Sequence, residues 1–244
     1  MKTVLITGGS SGIGAEMARQ FADAGYRVAI SYRANREGAE EVLADIEALG
    51  AEGLIHQADL CEESQAQALV EVATARFGAI DVLINNAGGY LEGDEWDKGT
   101  AELWTRSLQQ NLVSVMSVSK YVIPFFQKQR SGVLLNIASR HGMMGDYEAL
   151  SYAAAKAGVI NITEAYAKLL APHARANTIS PGAVNTGYWR TAPEDELQEA
   201  IATNPMGRLV ETSEVAAMAL HLASDNAAVI NGQNIVVDGG CLLR

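Results

Sequence analysis

Thr3-Val4-Leu5-Ile6-Thr7-Gly8-Gly9-Ser10-Ser11-Gly12-Ile13-Gly14 runs an apolar stretch straight into a glycine cluster. The amphipathic stretch Ile13–Ala24 follows, so the order reads as strand, tight turn, helix. Glycines at such a turn permit a sharp reversal, close approach of backbone to a pyrophosphate, and close helix–strand packing. A helix opening near Gly12 presents free N–H groups and a positive dipole end to phosphate. Taken alone, a glycine cluster is a plain turn. Placed between a first strand and an amphipathic helix, it makes Gly8, Ser10, Ser11, Gly12, Ile13 and Gly14 candidate dinucleotide-binding residues.

The same alternation continues along the chain. Short β-rich runs occur at Thr3–Thr7, Arg27–Tyr32, Gly53–Gln57, Val82–Asn85, Val133–Ile137, Ala174–Ile179 and Asn234–Val237. Most are continuously apolar, as strands covered on both faces should be. Between them lie helical patterns at Ile13–Ala24, Glu37–Leu49, Ser64–Phe77, Ala101–Gln129, Ala149–Leu170 and Ser213–Ala223. Gly25, Gly50 and Gly78 stand where helices stop. Strands separated by such helices require right-handed crossovers and a parallel sheet. The expected fold is α/β: a single doubly wound, Rossmann-type domain over 1–244. Its seven-stranded parallel sheet has the order 3-2-1-4-5-6-7, with helices on both faces and ligands at the carboxyl ends of the strands.

Composition narrows the function. The 244 residues are 48% hydrophobic, which allows a large core without staples, and the net charge is −11. That charge repels phosphate-rich surfaces, so neither nucleic acid nor anionic membrane is expected as a partner. No apolar run reaches the ~18 residues of a membrane span, and the opening run is too short for a signal peptide. Cys61 and Cys241 lie far apart without ligand spacing, so no metal site and a reduced, cytoplasmic setting are expected.

The glycine turn has the spacing T-G-x-x-x-G-x-G. With the chain length, it resembles the short-chain dehydrogenase/reductase family, in its short subfamily of about 250 residues. The resemblance covers nearly the whole chain, which is similar to 3-oxoacyl-ACP reductases and related carbonyl reductases. It implies a nicotinamide cofactor. The second strand ends at Ser31-Tyr32-Arg33 without the acid that accepts from an adenine ribose 2′-OH. Arg33, beside Tyr32 and assisted by Arg36, suits a 2′-phosphate instead, so NADP(H) is preferred and NAD(H) is the second choice. The family's other NADP mark, a basic residue inside the glycine turn, is absent, since Ser11 stands there. The resemblance further implies cofactor contacts from Asp59 and Leu60 after the third strand. Asn85, Ala87 and Gly88 of Asn85-Asn86-Ala87-Gly88 are implied after the fourth, and Pro181, Gly182, Val184 and Thr186 after the sixth. Asp238-Gly239-Gly240 is a family mark read as structural.

Tyr152 and Lys156 lie four apart in a helical segment and so share one face. By itself that spacing is a surface aromatic–cation pair. Ser139, thirteen residues earlier, and Asn111, inside the preceding long helix, complete the family's catalytic set. Carbonyl reduction moves a hydride to carbon and a proton to the developing alkoxide. A phenol of pKa near ~10 needs a neighbouring ammonium, together with the oxidised nicotinamide's charge, to act as a base at neutral pH. Tyr152 is therefore the expected general acid/base, and Lys156 its electrostatic partner and a nicotinamide-ribose ligand. Ser139 is the expected donor to the substrate oxygen. The resemblance gives Asn111 a water that links the lysine to solvent.

The substrate side is less explicit. His141, Tyr188 and Trp189 are candidate contacts, though packing under loops explains aromatics equally well. Thr186 to Arg208 carries Pro193, Pro205 and the helical pattern Glu194–Ala202, and reads as a mobile lid over about 186–208. The acidic loop Glu92-Gly93-Asp94-Glu95-Trp96-Asp97 reads as a solvated surface. A small-molecule carbonyl or secondary alcohol is the preferred substrate. An acyl-carrier thioester is the alternative, favoured by Arg130 and opposed by the net charge. A non-catalytic dinucleotide sensor is the alternative of another class. The long helices suit self-association, and the resemblance implies a homotetramer or dimer.

Overall fold

Seven short strands lie side by side, all parallel, in the order β3-β2-β1-β4-β5-β6-β9. The structure is a computed structural model that describes residues 1–243. The elements run β1 (Thr3–Ile6), α1 (Gly12–Asp23), β2 (Arg27–Tyr32), α2 (Arg36–Ala48), β3 (Gly53–Gln57), α3 (Glu63–Phe77) and β4 (Val82–Asn85). Next come α4 (Ala101–Leu108), α5 (Ser114–Gln129), β5 (Val133–Ile137), α6 (Leu150–Leu170) and β6 (Arg175–Pro181). The remainder is β7 (Val184–Asn185), α7 (Glu194–Ala202), β8 (Val210–Glu211), α8 (Thr212–Ala223) and β9 (Asn234–Val237). The expected seventh strand is β9 here, because two-residue strands β7 and β8 pair with each other outside the main sheet. Strands that short carry no periodic pattern to read.

Both faces of the sheet are covered, which explains the continuous apolar runs. Val4 and Ile6 face a core shared with α1, α2 and α8. Leu5, between them, faces a second core shared with α3, α5 and α6. The alternation follows from the two-residue period of a strand. Gly25, Gly50 and Gly78 all take positive φ, between 79° and 82°, which L side chains avoid.

β1 pairs with β2 on one side and β4 on the other, so the chain order reverses at the β1–β4 boundary. A crevice forms there beyond the carboxyl ends. Thr7 closes its floor: its hydroxyl accepts the Asn86 and Ala87 N–H groups at 2.9 and 3.0 Å. Asn86 Nδ2 returns bonds to the Thr7 and Gly8 carbonyls.

One expected helix is different. Ala101–Gln129 is not continuous: residues Gln109–Val113 form a π-helical segment between α4 and α5. A single inserted residue is invisible to apolar periodicity, yet such segments concentrate at functional sites. Asn111 lies inside it.

Candidate active site

The glycine turn is tight where it must be. A side chain on Gly14 would place its Cβ 2.2 Å from the Gly8 carbonyl oxygen, and one on Gly8 would meet Ala87 Cα at 2.9 Å. Gly12, with φ of 53°, faces open space bordered by the Thr186 methyl, which brings the start of the 186–208 segment over the turn. Ser11 precedes α1 in extended conformation, makes no side-chain cap, and no acid occupies the first turn. The N-terminus of α1 is thus open to an anion, and the cradle fits a dinucleotide pyrophosphate.

At the end of β2, Ser31 and Tyr32 are buried and Arg33 is exposed. Arg36 differs from expectation: its Nε lies 2.7 Å from Glu40 Oε1, one turn along α2, and is already paired. Asp59 Oδ1 accepts the Cys61 N–H at 3.0 Å and shapes the turn into α3. Asn85 also differs. Its amide is buried and donates to Asn136 Oδ1 at 2.8 Å and Ser119 Oγ at 3.0 Å, so the side chain ties β4 to β5 and α5 rather than facing the crevice. Asn136 Nδ2 extends the network to Thr163 Oγ1 on α6 at 2.7 Å. Gly88, with φ of 146°, passes so close to Asn111 that a Cβ would lie 2.6 Å from its Oδ1.

Ser139, Tyr152 and Lys156 meet at the carboxyl edge of β5. Ser139 is buried, and its side chain lies close enough to the Tyr152 phenol to lower the phenol's pKa. Its Oγ also accepts the His141 N–H at 3.2 Å, which orients the hydroxyl. Lys156 is 4% exposed; its Nζ donates to the Ile137 carbonyl at 2.9 Å and lies 5.6 Å from the Tyr152 ring centroid. Burial holds the Lys156 ammonium down to about 8. Burial also raises the phenol, against a smaller lowering by Ser139. In the protein alone, desolvation outweighs the effect of Ser139 on the phenol.

Asn111 is fully buried. Its Oδ1 accepts the Gly89 N–H at 2.8 Å, and its Nδ2 donates to the carbonyls of Gly89 and Ser107. Both amide protons are spent, which leaves Oδ1 alone for any water.

Aromatic groups surround the phenol. His141 and Tyr90 approach the Tyr152 ring edge-on, with centroids 6.0 and 6.4 Å away. His141 Nδ1 lies 2.6 Å from Asp146 Oδ2. Burial lowers the His141 pKa, opposed by Asp146 and assisted by Arg140. Trp189 donates its indole N–H to the Val184 carbonyl, and Tyr188 donates its hydroxyl to Glu196, which pushes the phenol up to about 12. The polar tips of both aromatics are thus taken up by Val184 and Glu196. Asp238 binds the Gly240 and Leu242 N–H groups, a purely structural turn. Asp94 was not a candidate. It is fully buried and bonds the first turn of α6. Among the described residues no cluster of metal-ligating side chains occurs, and no helix is long and apolar enough to cross a membrane.

A family model described as enoyl-(acyl carrier protein) reductase matches residues 8–241. A 3-oxoacyl-[acyl-carrier-protein] reductase FabG of Staphylococcus aureus is 34% identical over 241 residues, covering 98% of this chain and 97% of its own. The chain belongs to the short-chain dehydrogenase/reductase family. As a short-chain dehydrogenase/reductase it falls among oxidoreductases acting between CH–OH and C=O with a nicotinamide dinucleotide. A 3beta-hydroxysteroid dehydrogenase 1 of Eggerthella lenta is 36% identical over 246 residues, covering 99% of this chain and 94% of its own. The F189W actinorhodin polyketide ketoreductase, solved with NADPH, superposes with a TM-score of 0.91 at 33% identity, covering 98% of this chain and 97% of that one. Relatives with such different substrates at similar identity leave the substrate to be argued from the site.

Proposed function

We propose that this short-chain dehydrogenase/reductase is an NADP(H)-dependent enzyme that interconverts a small-molecule carbonyl and its secondary alcohol, with Tyr152 as general acid/base. The observation that carries the reading is the buried Lys156 ammonium 5.6 Å from the Tyr152 ring, with the buried Ser139 beside the same phenol. The bound nicotinamide supplies or accepts the hydride. The glycine turn from Gly8 to Gly14 would hold the pyrophosphate, and Arg33 the 2′-phosphate. Val184 and Thr186, at the start of the lid, would border the carboxamide.

In the reducing direction, Ser139 Oγ donates to the substrate oxygen and holds it against the phenol. Tyr152 then delivers its proton to the developing alkoxide. A phenol raised by burial is protonated at neutral pH, the form that the reducing direction uses. Lys156, still protonated below about 8, stabilises the phenolate left behind.

The NADPH of the ketoreductase neighbour supports the cofactor choice, as do an exposed Arg33 and the lack of an acid at the end of β2. The acidic chain and the aromatic surround of the phenol favour an uncharged small carbonyl compound. Arg130 supports a carrier-linked second reading: it is exposed and, with φ of 53°, ends α5 in the left-handed region. Exposed Leu108, Met116, Leu150 and Leu169 on α4, α5 and α6 support self-association as a homotetramer or dimer. The composition supports a cytoplasmic setting.

The decisive experiment is a carbonyl panel spanning ketoacyl thioesters, sugars, steroids, quinones and aryl ketones, read by NADPH and NADH consumption. Turnover of small ketones with NADPH is the expected result. Turnover of none, or of carrier thioesters alone with rates falling steeply in salt, overturns the small-molecule reading.

A further inference from the structure

Asp94 lies in a loop as hydrophilic as any in the chain, yet it is fully buried. Its Oδ2 accepts the Tyr152 N–H at 2.8 Å, and its Oδ1 accepts the Ser151 N–H at 3.1 Å and the Ser151 hydroxyl. Its own carbonyl accepts the Leu150 N–H at 3.1 Å. These are the first three N–H groups of α6, which have no partner inside the helix. Ala149, the residue that precedes the helix, provides no side-chain cap. Asp94 therefore caps α6 from a distant loop, and its carboxylate meets the positive end of the helix dipole.

The loop that carries Asp94 is fastened on both sides of it. Gly89 is held by Asn111 through both of its backbone polar groups. Tyr90 donates its hydroxyl to the Glu148 carbonyl at 3.3 Å, and Trp96 donates its N–H to the Tyr147 carbonyl at 2.9 Å. A continuous set of bonds thus links Asn111 in the π-helical segment to the backbone of Tyr152.

We propose that Asp94 is the positioning residue of Tyr152. By holding the Ser151 and Tyr152 amides, it fixes the height and rotation of the first turn of α6, and so keeps the phenol against Ser139. The proposal rests on Tyr152 being the proton donor, as proposed above. Asp94 touches neither substrate nor the reacting oxygen; it acts through the backbone that bears the phenol.

The test uses the full chain with three substitutions: Asp94→Ala, Asp94→Asn and Ser151→Ala. It reads kcat, KM, the NADPH Kd, and hydrogen exchange of peptides across α6. Displacing the phenol by the order of an ångström predicts a kcat loss of about 100-fold in Asp94→Ala, with KM and NADPH Kd nearly unchanged. Asp94→Asn keeps one carbonyl oxygen and recovers part of the loss. Ser151→Ala keeps the Tyr152 N–H bond and stays within about threefold of wild type. Exchange accelerates over residues 148–153 in both Asp94 variants, while 157–170 stays protected.

Wild-type kcat in Asp94→Ala, or unaltered exchange at 148–153, overturns the proposal. So does loss of protection along the whole of α6 in Asp94→Asn, because the residue then supports the fold at large. A wild-type enzyme that reduces no carbonyl defeats the functional reading instead. In that case the exchange pattern still reports whether Asp94 holds the Tyr152 amide.

Discussion

Lys156 Nζ is buried 5.6 Å from the Tyr152 ring centroid, and its bond to the Ile137 carbonyl is the one that anchors it. Lys156 is shut away from water and Tyr152 is largely so, and desolvation raises the phenol and lowers the ammonium. The pair is tuned by desolvation.

Lys156→Met tests the cost of that burial. The lysine titrates near 8 when folded, against ~10.4 in an unfolded chain. Between these values the unfolded chain binds more protons, so stability rises with pH across the window, and below it the burial penalty is at full size. The penalty is on the order of 3 kcal/mol, before the lost bond to Ile137 is counted. Lys156→Met is expected to melt above wild type at pH 7, to lose that margin by pH 10, and to be inactive. Melting below wild type at every pH would contradict this.

Tyr152→Phe removes the proton donor and little volume. Its kcat for carbonyl reduction should fall by about 10²–10⁴-fold while NADPH still binds, as fluorescence titration would show. Turnover within tenfold of wild type would assign the proton to another group, with Lys156, at 5.6 Å, and His141, at 6.0 Å, the candidates beside the ring.

Arg33→Ala should lower the NADPH-to-NADH ratio of kcat/KM by about 10- to 100-fold, the value of a charge-assisted contact to phosphate. Arg36→Ala should leave the ratio nearly unchanged, since Glu40 already holds that guanidinium. Equal effects from the two substitutions would remove Arg33 from its role.

Asn136→Ala removes one of the two acceptors of the Asn85 amide and the donor to the Thr163 hydroxyl, while Ser119 and the Val159 carbonyl still hold these groups. Losing two buried hydrogen bonds costs about 1–3 kcal/mol together. Urea unfolding should show that loss as a lower midpoint. A loss under ~1 kcal/mol would mean that water replaces the missing amide.

Much of this architecture is legible in the sequence because the sheet is buried on both faces. Runs such as Val82–Asn85 announce themselves by continuous apolarity, and β9 occupies Asn234–Val237 as expected. The glycine turn is legible because a Cβ on Gly14 cannot be accommodated, so its residue type is dictated by local geometry. Tyr152 and Lys156 are legible because one helical turn fixes their spacing. What escapes the sequence depends on distant partners. Asp94 sits among Glu92, Gly93 and Glu95, so local composition reads as solvated; its burial is decided by the start of α6. Arg36 reads as an assistant to Arg33 by proximity, but Glu40 one turn along the helix pairs with it. Side chains alternate along a strand, so the Asn85 amide bridges β4 to β5 while its neighbour Asn86 faces Thr7 and Gly8.

The π-helical segment at Gln109–Val113 sets the phase between two stretches of one long rod. An extra residue advances everything beyond it by roughly 100° about the axis. That offset lets α4 lie against α6 while α5 turns its apolar stripe to α3. Shortened by one residue, the rod would run in a single phase, and one of those two partnerships would be given up.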